Sequence, residues 1–204
     1  MRKQNLISVI LVISLVLSVY LVSAKFVMFN EHFYQKEFYK NKIAVKDAYE
    51  ISKDITGFFN DKTELPSVFD AKEASHMQDV KNVVNKGEDF LIFLCLLNIV
   101  LISFLIFYAD DKTKALSKTF IFSGIFGLFL PLISVFFSFS NLFEKFHLIF
   151  FPQGNWMFPS SSLLIQLFPS QFFYDALITI VINSSIVFFI WLTLGSISSK
   201  ISSN

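Results

Sequence analysis

The sequence predicts an all-α membrane protein with four transmembrane helices, a small, mainly helical extracytoplasmic domain and a re-entrant or interfacial loop. Three observations carry that expectation. Four blocks of roughly 20 residues are almost free of charge, and a helix needs about that length to cross the hydrocarbon core of a bilayer. The charged residues gather between those blocks. A Phe-rich segment between the third and fourth blocks is broken by Pro and Gly into apolar runs too short to span. Composition agrees: of 204 residues, 54% are hydrophobic, 18% aromatic and only 16% charged. A soluble domain carries about a quarter charged residues.

The apolar blocks are Asn5–Ala24, Phe90–Tyr108, Thr119–Phe139 and Leu177–Gly195. Backbone polar groups in lipid must be bonded within the segment, so each block is expected to be a helix. A barrel would need short strands of alternating polarity, and none of the blocks alternates. The first block also invites a reading as a secretory signal, with Arg2 and Lys3 ahead of it and Val22-Ser23-Ala24 at its end. Its apolar run is longer than the roughly 7–15 residues of a signal core, so an uncleaved span is expected. The resulting plan has a first transmembrane helix over 1–24, an outer domain over 25–89 and a second helix over 90–108. A loop follows over 109–118, then a third helix over 119–139, an aromatic outer loop over 140–176, a fourth helix over 177–197 and a tail over 198–204.

Orientation follows from the short segments, because those beyond about 60 residues translocate largely regardless of charge. Arg2, Lys3, Lys112, Lys114, Lys118 and Lys200 lie on one side, whereas 140–176 carries only Lys145. The termini are therefore expected in the cytoplasm, and 25–89 and 140–176 outside it.

Within the outer domain, Ala48, Ile51, Ile55 and Phe59 form one apolar stripe of a helix, ended by Asp61-Lys62 and Pro66. A second helix is expected to open at Asp70, with Glu73 three residues on as in a capping box. It is expected to end near Asn85, where Gly87 suits a stop before the second span. Such a domain is too small to fold securely alone, so its core is expected to be shared with the bundle. The later outer segment, from Phe143 to Pro159, is broken at Pro152, Gly154 and Pro159. Its Trp and Phe content suits the headgroup level of a membrane.

Candidate chemistry narrows quickly. The net charge of +1 and the absence of a basic stretch give no sign of nucleic-acid binding. The single Cys95 excludes an intramolecular disulfide. No nucleophile elbow and no phosphate-cradling glycine loop is present. The three histidines, His32, His76 and His147, all fall in the outer segments, and histidine is the side chain best suited to move protons near neutral pH. They lack the close pairing of zinc ligands, so no metal is expected. Glu73 and Asp79 flank His76 at three residues on either side and share its helix face. Taken singly, each histidine reads more readily as an ordinary surface residue than as a catalytic one.

Together the neighbourhoods say more. Glu73-x-x-His76-Met77-x-Asp79-Val80-Lys81 is followed by Phe146-His147-x-x-Phe150-Phe151-Pro152-x-Gly154-x-Trp156. Leu167-Phe168-Pro169-x-x-Phe172-Phe173-x-Asp175 then leads into the last span. This succession resembles the lipoprotein intramolecular transacylase (Lit) family of small four-span bacterial membrane proteins. The resemblance runs through nearly the whole chain in order, although the region before Asp70 matches only in general character. It implies a transferase that moves an acyl chain within a diacylated lipoprotein, from the glyceryl sn-2 ester to the α-amino group of the lipidated cysteine. The product is a lyso-form lipoprotein.

The resemblance further implies His76 and His147 as the catalytic pair. Amine attack on an ester needs one proton accepted and one donated, which two imidazoles can supply in either order without nucleophile or cofactor. Glu73, Asp79 and Asp175 are the expected supporting residues. Phe146, Phe150, Trp156 and Tyr174 are expected to line the site for the lipid-bearing substrate. Two other readings stay open on the sequence: a non-enzymatic membrane subunit that docks a partner through its outer domain, and a metal-dependent hydrolase using His32 as well.

Overall fold

The structure is a computed structural model and describes residues 2–132 and 137–201. Eight α-helices, and no strand, occur among the described residues. They are α1 (Arg2–Met28), α2 (Glu31–Lys40), α3 (Ala48–Phe59), α4 (Ala71–Tyr108), α5 (Lys112–Phe129), α6 (Phe139–Phe150), α7 (Leu163–Leu167) and α8 (Ser170–Ile201). The chain divides into two compact units: residues 1–24, 89–136 and 180–204 in the first, and 25–88 and 137–179 in the second.

Among the described residues, four helices are long and apolar enough to cross a membrane: α1, α4, the α5 segment Lys112–Leu132, and α8. At a rise of about 1.5 Å per residue, the 38 residues of α4 extend to about 57 Å, far beyond a hydrocarbon core of about 30 Å. Helix α4 is therefore longer than one span requires. The expected stop at Gly87 does not occur, since α4 continues through it without a break. Glycine in a helix interior costs only about 1 kcal/mol relative to alanine, which neighbouring turns on both sides outweigh. The third block differs as well. Helix α5 starts at Lys112, capped by the Asp111 carboxylate on the Lys114 N–H, and gives way to a 3₁₀ turn over 130–132. Pro131 suits the end of α5 because it has no N–H to continue the α-helical ladder. Phe139 belongs to α6, so Thr119–Phe139 is not one helix, and positions 133–136 of that block lie outside the described residues.

The first unit packs Leu11, Leu15 and Leu105 at its centre, with Leu101, Leu116 and Trp191 around them. Few polar side chains are enclosed there, and several pair: Asn98 Nδ2 donates to Ser18 Oγ at 3.0 Å, and Ser184 Oγ donates to Ser23 Oγ at 2.9 Å. Tyr20 donates its hydroxyl to the Gly127 carbonyl at 2.7 Å. Close approach of α5 and α8 requires glycine, since a Cβ on Gly124 would lie 2.8 Å from the Phe188 carbonyl oxygen. Large apolar side chains such as Leu96, Ile99, Phe122, Ile182 and Phe189 point outward. Water would penalise such a surface, whereas lipid accepts it.

The second unit is built on aromatic packing. Phe33, Tyr34 and Phe38 of α2 meet Phe168 just after α7 and Phe172 of α8, with ring centroids 5.4–6.3 Å apart. Tyr49 of α3 donates to the Glu31 carboxylate of α2 at 2.6 Å. Helix α4 opens with reciprocal bonds: the Glu73 N–H donates to Asp70 Oδ1 and the Asp70 N–H to Glu73 Oε2, as the capping-box spacing predicts.

Candidate functional site

His76 and His147 come together inside the second unit. His76 stands on the second turn of α4 and His147 near the end of α6, and both side chains are buried. Their rings stack with centroids 6.2 Å apart and planes 26° from parallel. Phe151 sits against both, at 4.8 Å from His76 and 5.5 Å from His147. Phe158 closes the His76 side at 5.5 Å, and Trp156 closes the His147 side at 4.8 Å. The result is a pair of imidazoles in an aromatic enclosure.

Local structure explains how each histidine is held. Helix α6 is started by the Ser138 hydroxyl accepting from the Asn141 N–H, and near its end His147 meets the carbonyl of Phe143, one turn before it. That carbonyl can only accept, so His147 Nδ1 carries the proton and donates across 2.7 Å, leaving Nε2 bare. His76 has no such partner: its Nδ1 is buried without a hydrogen bond. After α6 the chain turns at Gly154, whose φ of 75° suits a residue without Cβ. The turn brings Gln153 and Asn155 onto one oxygen of Asp79, at 2.7 and 2.6 Å.

Burial and charge set the protonation states. Burial pushes the His76 pKa down to about 4, and His147 pushes the same way, against the Asn155 side chain and the Asp79 carboxylate. Burial also lowers the His147 pKa, opposed by its bond to the Phe143 carbonyl. Both imidazoles are therefore neutral at pH 7, with a bare ring nitrogen available on His147. A neutral imidazole in a partly desolvated site is a proton acceptor.

A family model described as lipoprotein intramolecular transacylase Lit matches residues 9–173. The chain belongs to that family. An uncharacterized protein of Aquifex aeolicus is 31% identical over 137 residues, covering 65% of this chain, and this chain spans 58% of that relative's length. Among solved structures, the membrane-integral lipoprotein intramolecular transacylase Lit of Bacillus cereus superposes with a TM-score of 0.77 at 18% identity. The match covers 99% of this chain and 98% of that one. A variant of the same Bacillus cereus protein with one histidine replaced by arginine gives 0.80 at 19% identity, over 99% of this chain and 94% of that one. At these identities the structural likeness establishes a shared fold: a membrane-integral, all-helical chain.

Against that transacylase fold, the residues singled out from sequence fall into three groups. His76, His147, Phe146 and Trp156 share one place, Phe146 lying 5.5 Å from the His147 ring, with Phe150 stacked on Phe146 at 4.7 Å. Glu73 is tied to the backbone, its buried carboxylate accepting from the Asp70 N–H and the Leu164 N–H at 3.1 Å each. Asp79 carries Gln153 and Asn155. Asp175 and Tyr174 stand apart. Asp175 pairs with Lys40 at 2.7 Å, and with the buried Glu37 it forms a carboxyl pair that holds the Glu37 pKa up, chiefly through burial. Tyr174 reaches the pair only indirectly, through Phe139, Phe143 and then the His147 ring.

Sequence reasoning missed Asn155, Gln153 and Phe158. Asn155 stood as an unassigned position inside a motif, and only the turn at Gly154 turns it toward Asp79. His32 is exposed on α2. Among the described residues no group of three or more His, Cys, Asp and Glu side chains converges as a metal-ligand set would.

Proposed function

We propose that this chain is a lipoprotein acyltransferase. In this reading it moves an acyl chain from the glyceryl sn-2 ester of a diacylated lipoprotein's lipidated cysteine to that residue's own α-amino group. The observation that carries the reading is the stacked, buried pair His76 and His147 in a chain of the transacylase family. Two imidazoles 6.2 Å apart can serve one ester, since each proton transfer reaches about 3 Å. Separations beyond about 12 Å would have argued against it.

The proton inventory suits two neutral imidazoles. The amine nitrogen attacks the ester carbonyl carbon, the C–N bond forms, and one N–H proton must leave nitrogen. The C–O bond to the glyceryl oxygen then breaks, and that oxygen must gain a proton. The exchange is balanced: one proton moves from nitrogen to oxygen, and the products are an amide and a glyceryl hydroxyl. An imidazole with a bare Nε2, as His147 has, takes the proton, and the imidazolium so formed becomes the acid at the glyceryl oxygen. General acid–base help of this kind contributes roughly 10²–10⁴-fold. Amine and ester belong to one molecule, so holding them together adds a large proximity contribution. The exposed faces of Phe146 and Phe150 supply apolar surface for the acyl chains.

The topology proposed with this function keeps the termini and Lys112–Lys118 in the cytoplasm, by the distribution of basic residues. Residues 25–89 and 140–176 are then extracytoplasmic, where the lipid ends of mature lipoproteins lie in the outer leaflet.

The experiment is expression in a bacterial host that makes diacyl lipoproteins, followed by mass spectrometry of lipoprotein N-terminal peptides. An acyl group on the amine with a monoacylglyceryl thioether supports the reading. Unchanged diacylglyceryl peptides from a well-expressed, folded chain refute it.

A further inference from the structure

The buried polar atoms around His76 do not balance, and the imbalance has a direction. His76 Nδ1 and Asn155 Oδ1 are both buried without a hydrogen-bond partner. One can be a donor and the other is an acceptor. Asn155 is not free to choose which end faces where. Its Nδ2 donates to Asp79 Oδ2 at 2.6 Å and approaches the Ser75 hydroxyl at 3.5 Å. A carboxylate only accepts, so the amide nitrogen must face Asp79 and the amide oxygen must face away from it. Gln153, donating to the same Asp79 oxygen at 2.7 Å, holds that carboxylate in place. Ser75 precedes His76 and Asp79 follows it by three residues on α4, so both anchors of Asn155 flank the histidine on its own helix.

We propose that Asn155 is a positioning residue for His76: its Oδ1 accepts the Nδ1–H of the imidazole and so leaves Nε2 bare. Leaving a buried donor or acceptor unmet is costly, and this one bond would satisfy both groups. The Asn155 side chain also favours the protonated form of His76, as an acceptor beside the ring does.

The consequence rests on the acyl-transfer reading. His147 already presents a bare Nε2, because its Nδ1–H is bound to the Phe143 carbonyl. With Asn155 acting likewise on His76, both imidazoles enter the reaction as acceptors. The acid at the glyceryl oxygen is then the imidazolium made when one of them takes the amine proton, not a ring that starts protonated. The second imidazole accepts from the other N–H of the amine and aims its lone pair.

The test reads the tautomer directly on the full chain in detergent micelles. Histidine is labelled with ¹⁵N, and His76 is assigned by comparison with His32→Gln and His147→Gln. At pH 7 His76 is expected to show a protonated Nδ1 and a bare Nε2. Asn155→Leu is expected to move it toward the Nε2–H tautomer, while Asn155→Asp, which keeps an acceptor oxygen, is expected to retain Nδ1–H. His147 serves as an internal control, staying Nδ1–H throughout. A wild-type His76 with Nε2–H overturns the inference without any variant, and so does an Asn155→Leu protein whose His76 is unchanged. The readout needs no turnover. Failure of the lipoprotein assay with the expected tautomer present removes the acyl-transfer reading alone, and the opposite result removes only the role of Asn155.

Discussion

The imidazoles of His76 and His147 stack at 6.2 Å, although one lies near the start of a long helix and the other near the end of a short one in a distant part of the chain. Phe151 fixes that approach by lying against both rings. The relationship turns two individually unremarkable histidines into one site, and the expectations below follow from how it is held.

Helix α4 delivers His76, and its start depends on Glu73. That carboxylate is 3% exposed and accepts from two backbone N–H groups, one on its own helix cap and one on α7. Glu73→Ala leaves both donors unmet and is expected to cost about 1–3 kcal/mol. Glu73→Gln retains an oxygen acceptor and is expected to cost less. Thermal melting in detergent checks the order.

Protonation of His76 opposes folding. Its pKa is about 4 in the fold against an ordinary value of 6.5. Between those values the unfolded chain binds the proton and the folded chain does not, so stability rises with pH across that window. The contribution is intact above 6.5 and is lost as pH falls toward 4. Melting temperatures measured from pH 7.5 to 4 are expected to fall more steeply in wild type than in His76→Gln. Equal slopes would contradict the burial of a neutral His76.

Two glycines are expected to respond in opposite directions. A Cβ on Gly87 meets nothing within 4 Å, so Gly87→Ala is expected to stabilise α4 by roughly 0.5–1 kcal/mol. A Cβ on Gly124 meets Leu192 Cγ at 2.5 Å and the Phe188 carbonyl oxygen at 2.8 Å. Gly124→Ala must push α5 away from α8, and is expected to destabilise by about 1–3 kcal/mol. The melting temperatures of the two variants should bracket that of wild type.

The same glycines mark what was legible in the sequence. That four helices are apolar enough to cross a membrane was readable, because an absence of charge over some 20 residues has one common physical meaning. Where the third of them gives way was not. The start of α4 was readable because Asp70 and Glu73 satisfy each other locally. The passage of α4 through Gly87 was not, because a lone glycine before an apolar run signals a stop as well as an interior position. Within the site, the histidines were visible through their motifs, whereas the role of Glu73 depends on a Leu164 N–H from another helix. Asn155 was invisible for the same reason, since its partner Asp79 lies on α4 and reaches it only through the turn at Gly154.

The central claim, acyl transfer by the His76–His147 pair, is tested most directly by the lipoprotein N-terminal mass spectrum of cells expressing wild type, His76→Ala or His147→Ala. Wild type is expected to yield N-acyl, S-monoacylglyceryl peptides, and each variant is expected to lower their formation by roughly 10²–10⁴-fold at equal protein level. Equal product from wild type and from both variants would contradict the account.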